Sequence, residues 1–118
     1  MPYELKVNLE SGIIELRAYG STSRDEVIES MGEVKRLSGE TGIKRLFVDS
    51  RQVDSMPSTI DQFELTRKFP RFLKMAVLIP VETELTATYK FGETVGVDRG
   101  VPIRVFISET EAIEWLKS

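Results

Sequence analysis

The segment Arg45-Leu46-Phe47-Val48-Asp49-Ser50-Arg51 runs from apolar residues into an acid, a hydroxyl and a base. Hydroxyls continue beyond it at Ser55, Ser58 and Thr59. An apolar run that ends in an acid, followed by a hydroxyl-rich loop and a capped helix, is where an open α/β sheet usually meets its ligand or partner. The spacing predicts a strand over Lys44 to Asp49, a loop from Ser50, and a helix that Ser58 caps and Pro70 closes.

On the amino-terminal side, Tyr3, Leu5, Val7 and Leu9 alternate with polar residues, and so do Ile14, Leu16 and Ala18. With Ser11-Gly12 between them, the two runs predict an antiparallel hairpin. Ser23 and Glu26 form a capping box. Val27, Ile28, Met31 and Val34 then recur at helical spacing, and Gly39 and Gly42 supply the stop.

On the carboxyl side, Met75-Ala76-Val77-Leu78-Ile79 is apolar at every position, as in a strand covered on both faces. A helix over about Glu84 to Val95 follows and ends near Gly96 or Gly100, with positive φ expected at Gly100. Ile103 to Ile107 reads as the last strand, and Ser108 with Glu111 caps a closing helix. The order is β-β-α-β-α-β-α-β-α in a single α/β domain spanning residues 1–118. Helices separate the last four strands, so those should run parallel in a mixed, mostly parallel sheet.

Composition narrows the chemistry. The chain has no histidine, which removes the usual general base near neutral pH and imidazole metal ligands. It has no cysteine, so disulfides and thiolate metal sites are excluded. A net charge of -3 disfavours binding to nucleic acid. No apolar stretch reaches bilayer length, so stable membrane insertion is not expected, and a cytoplasmic protein is the default. No cofactor is implied. Glu82, Glu84 and Asp98 form no recognisable metal motif beside Asp49, so no catalytic or metal residue is assigned, and the chain reads as a non-enzyme.

The order of elements and several segments resemble the small SpoIIAA-like proteins, related to the STAS domain and to the Sec14-type lipid-binding fold. The segments are Arg45 to Arg51, Met75 to Pro80, Asp98-Arg99-Gly100, Arg104-Val105-Phe106, Glu111-Ala112 and Trp115-Leu116. Together they cover nearly the whole chain. Many members of this group have no assigned activity. The STAS relatives are anti-sigma-factor antagonists that bind a kinase partner and are switched by phosphorylation of a serine after the third strand. The resemblance places Asp54 and Ser55 at the matching positions, with Met56-Pro57 where those proteins carry glycine.

Two groups of candidate residues follow. Asp49, Ser50, Arg51, Asp54, Ser55 and Ser58 form a rim for contact with a protein partner, with Ser55 the candidate phosphoacceptor. The plainer alternatives are Ser58 as a helix cap and Asp49 paired with Arg51 or Arg99.

The second group comes from the middle helices, which carry two apolar stripes each where packing on a sheet needs one. Ile60 and Phe63 share one side, and Leu65, Phe69 and Phe72 fall elsewhere. Ala87, Phe91 and Val95 share a stripe, while Leu85 and Tyr89 lie on another with Gly92 and Gly96. Leu65, Phe69, Phe72, Leu85 and Tyr89 therefore face a neighbouring helix, a homodimer partner or a small apolar, lipid-like ligand. Arg67, Lys68, Arg71 and Lys74 make a basic cluster that suits a helix carboxyl end or an anionic lipid head group.

Overall fold

The computed structural model describes residues 3–55, 57–81 and 86–118; Met56, Glu82, Glu84 and Leu85 lie outside them, as does the side chain of Phe63. Strands β1 (Tyr3–Asn8) and β2 (Ile13–Ser21) form the hairpin, followed by α1 (Arg24–Thr41), β3 (Arg45–Ser55) and α2 (Thr59–Leu65). A 3-10 turn (Thr66–Lys68), β4 (Lys74–Leu78), α3 (Thr86–Asp98), β5 (Ile103–Phe106) and α4 (Glu109–Lys117) complete the chain. The sheet order is β1-β2-β3-β4-β5. The first pair is antiparallel and the other three are parallel, as the alternation of strands and helices dictates.

That order decides where the layers lie. Each crossover from β2 to β5 adds its strand on the same side, and parallel crossovers are right-handed. All three crossover helices therefore fall on one face of the sheet. Met31, Val34 and Tyr89 pack there on Ile14, Leu16, Met75, Val77 and Ile103. The reverse face is left to α4, whose Ala112 and Leu116 pack on Phe47, Ala76, Leu78 and Phe106. Where α4 does not reach, the hairpin turns charges outward, and Glu4 faces Arg17 and Lys6 faces Glu15 in register. The strand order never reverses, so this sheet lacks the crevice at which doubly wound folds bind ligands.

Local signals account for the ends of the elements. Ser23 and Ser108 accept hydrogen bonds from Glu26 N and Glu111 N, each at 3.3 Å. Gly42 (φ 76°) closes α1 and Gly100 (φ 82°) turns the chain into β5. Gly39 lies inside α1 and does not help to stop it. Helix α3 runs past Val95 to Asp98 and carries Gly96 inside it. A Cβ on Gly96 would sit 2.7 Å from Ile103 Cγ2, so glycine here lets α3 approach β5 closely.

The largest departure from expectation is β3. It is 11 residues long and continues through Ser50 to Ser55, where a loop was expected from Ser50 onward. The nine-residue β2 extends alongside and supplies the pairing groups. Register shifts between Arg17 and Tyr19, and again at Gly20 and Ser21, absorb extra residues in β3 and keep Ser21 opposite Ser55. Thr22 N then donates to Ser55 O at 3.0 Å. Hydroxyl-rich composition is a turn signal only while the backbone lacks a partner strand, and here it has one.

Strand β5 stands at the border of the sheet. The Glu93 carboxylate of α3 reaches it and accepts the N–H of Val105.

Candidate functional site

Asp49 and Ser50 are neighbours in β3, each only 5% exposed, and they serve opposite faces of the sheet. Asp49 points to the α4 side. Arg51 grips it with two prongs, Nε to Oδ1 at 3.0 Å and NH2 to Oδ2 at 2.8 Å, and the Arg51 N–H adds a bond of 3.1 Å. Arg17 Nε lies 3.5 Å from Oδ2, and Glu109 is 4.0 Å from Arg51 on its far side. Burial pushes the Asp49 pKa up, but the Arg51 hydrogen bonds and the Arg51 and Arg17 charges outweigh it and hold the carboxyl below its ordinary value. Of the two expected pairs, Asp49 with Arg51 forms. Arg99 sits at the amino end of β5, where its carbonyl accepts from Arg71 Nε at 2.9 Å.

Further along, the side chains become accessible. Arg51, Asp54, Ser55 and Ser58 are exposed. Ser21 Oγ donates to Asp54 Oδ1 at 3.4 Å, and Ser58 Oγ caps α2 by accepting from Asp61 N at 3.2 Å. The six residues of the expected rim thus divide. Two are buried inside the sheet and four protrude near its carboxyl end.

Ser50 opens the other side. Between the sheet and the crossover helices lies a cavity of about 130 Å³. Leu16, Val48, Met75 and Val77 supply its floor from the strands. Val27 and Met31 of α1, Leu65, Phe69, and Tyr89 with Gly92 of α3 form its walls. Gly92 contributes no side chain to this lining.

Three polar groups in the lining have different fates. Ser30 Oγ donates to Val27 O at 2.9 Å, and Glu93 accepts from Val105 N. The Tyr89 hydroxyl is buried without a hydrogen-bond partner among the described residues. Burial pushes its pKa up, and the nearby Ser50 hydroxyl pulls the other way.

Of the five residues expected to face a ligand or a second subunit, Leu65, Phe69 and Tyr89 line this cavity. Phe72 is 54% exposed and borders a separate groove between α1 and the end of α2. Leu85 lies outside the described residues. Ser30, Ser50 and Glu93 join the lining without having been singled out for it. Ser30 had a signal, since it falls three residues after Val27 on the buried stripe of α1.

The basic cluster also divides. Lys74 crosses to the reverse face, where Nζ donates to Trp115 O at 2.5 Å and lies 4.5 Å from the Trp115 ring. It caps the carboxyl end of α4, leaving Arg67 and Lys68 exposed beside the groove. Among the described residues, no group of acids could hold a metal ion, and no helix is long and apolar enough to cross a membrane.

No family model matches this chain, and no curated protein matches it. Solved structures do share its fold over almost the full length. An anti-sigma factor antagonist from Mycobacterium paratuberculosis is 15% identical, with 99% of this chain and 96% of that one covered and a TM-score of 0.63. An uncharacterised protein with a SpoIIAA-like fold from Shewanella loihica PV-4 is 20% identical, with 98% and 92% covered and a TM-score of 0.56. At such identities the likeness is one of architecture, and the architecture of this chain is SpoIIAA-like.

Proposed function

We propose that the chain is a non-catalytic regulatory domain that engages a protein partner through the carboxyl end of β3 and the start of α2. The observation that carries this reading is the division within the rim. Asp49 is held by Arg51 and cannot readily act as a nucleophile or metal ligand, while Asp54, Ser55 and Ser58 stand exposed at one end of the sheet. The shared fold of an anti-sigma factor antagonist supports it. Ser55 is the candidate phosphoacceptor, because Ser58 already caps α2.

Photo-crosslinking in cells that express the protein tests this. A crosslinker at position 55 should capture one partner that a crosslinker at Lys117 does not, and Ser55→Asp should weaken that partner's binding at least tenfold with the melting temperature unchanged. Equal capture from both positions sinks the reading. Arg51→Ala is not a suitable probe, since Arg51 holds Asp49.

A second reading is favoured by the cavity. Its apolar lining and the Tyr89 hydroxyl suit a small, mostly apolar ligand.

A further inference from the structure

We propose that the cavity holds a single-ring-sized apolar molecule that carries one hydrogen-bonding group, anchored on the Tyr89 hydroxyl beside Ser50. This rests on the ligand-binding reading and specifies its chemistry.

Three observations fix that chemistry. The first is size. The space, half open to solvent, measures about 130 Å³, several times the volume of one water and close to the roughly 150 Å³ of apolar cavities that take up benzene. A long acyl chain would need a larger space. The second is polarity. Floor and walls are almost wholly aliphatic and aromatic, so the body of the guest must be apolar. The third is the single loose end. Buried hydroxyls are nearly always paired, yet Tyr89, 8% exposed, meets no partner at ordinary hydrogen-bond geometry among the described residues and has only a loose approach to the Ser50 hydroxyl. Two other polar lining groups, Ser30 and Glu93, do not compete for this role, and Thr22 has an interaction of its own. Ser30 is bonded to Val27 O, and Glu93 is engaged with the Val105 N–H.

The protonation state agrees. Burial keeps the Tyr89 hydroxyl protonated, so it offers both a donor and an acceptor, and Ser50 supplies a second hydroxyl alongside. A guest with a phenol, alcohol or carbonyl group meets that pair. An anionic guest does not, since the lining carries the Glu93 carboxylate and no Lys or Arg. The lining also includes Thr22 and Pro57, next to the carboxyl ends of β2 and β3, so an occupied cavity would touch the segment that leads to Ser58.

Toluene and phenol differ by one methyl-for-hydroxyl exchange and serve as probes. Amide chemical shifts of the ¹⁵N-labelled chain, followed during titration, should move saturably for Ser50, Tyr89 and Gly92 with both. In Tyr89→Phe the affinity for phenol should fall about fivefold relative to toluene, the value of one ordinary hydrogen bond. Gly92→Leu should remove binding of both by filling the space. If Tyr89→Phe affects phenol and toluene equally, the anchor is overturned while the apolar cavity survives as a binding site. If neither probe gives saturable shifts, or if Gly92→Leu leaves them intact, the ligand-binding reading falls with it.

Discussion

The two faces of β3 solve the same problem differently. Asp49 and Ser50 are equally buried and adjacent in sequence, yet the acid is fully gripped by Arg51 while the serine looks onto a space where, among the described residues, the Tyr89 hydroxyl has no partner but a loose approach to Ser50 itself. Burial of a polar group is therefore no guide to its role. What separates the two is whether the protein itself supplies the partner. A carboxylate closed off by its own strand is architecture, and a hydroxyl left open beside a cavity is where the proposed ligand would bind.

The sharpest way to break this contrast is Arg51→Ala, which leaves buried Asp49 with only the backbone N–H of residue 51 and the Arg17 side chain. The loss should be about 2 kcal/mol, below the range for fully enclosed pairs because Arg51 is 44% exposed. Urea denaturation measures it, and a loss of a few tenths would remove Asp49 from the architecture.

Next is Gly96→Ala on the crossover-helix side. The new methyl meets Ile103 Cγ2 and must push α3 outward, at about 1 kcal/mol after the gain in helix propensity is set against the overpacking. A rise in melting temperature would show that α3 yields freely.

The acid itself gives a smaller, pH-dependent signal. Its folded pKa lies below the ordinary 3.8, so its pairing stabilises the fold fully above that value, and the contribution is lost as pH falls through the lower folded one. Between about pH 6 and about pH 3, the wild type should lose more stability than Asp49→Asn. Equal losses would mean that other carboxylates govern acid sensitivity.

The smallest effect belongs to Tyr89→Phe. Removing a hydroxyl whose one neighbour among the described residues is a loosely placed Ser50 should change stability by less than about 0.5 kcal/mol. A cost above about 1 kcal/mol would show that the hydroxyl is already satisfied.

The architecture was legible because its signals are short-range. Alternation marked the hairpin, capping boxes marked the starts of α1 and α4, and the uninterrupted apolar run marked β4 as a strand enclosed on both sides. The site was legible only in part. Leu65, Phe69 and Tyr89 announced themselves by leaving the main stripes of their helices. Ser50 falls two residues after Val48 on the same face, but its hydroxyl-rich surroundings hide that the strand continues past Asp49. Beyond Ser50, period-two counting fails across a bulge, so that Val53, three residues on, lines the same cavity. Such a bulge depends on how far β2 travels beside β3, and that is a property of the pair which neither segment carries alone. The same holds for Lys74, whose partner is the end of a helix some forty residues later.

The grip of Glu93 on Val105 has an effect beyond the fold of one molecule. It occupies an outward-facing N–H of a four-residue border strand, where an incoming chain would otherwise begin to zip. Filling that donor from within removes one of the groups on which fibril-like growth along this flank of the sheet would start.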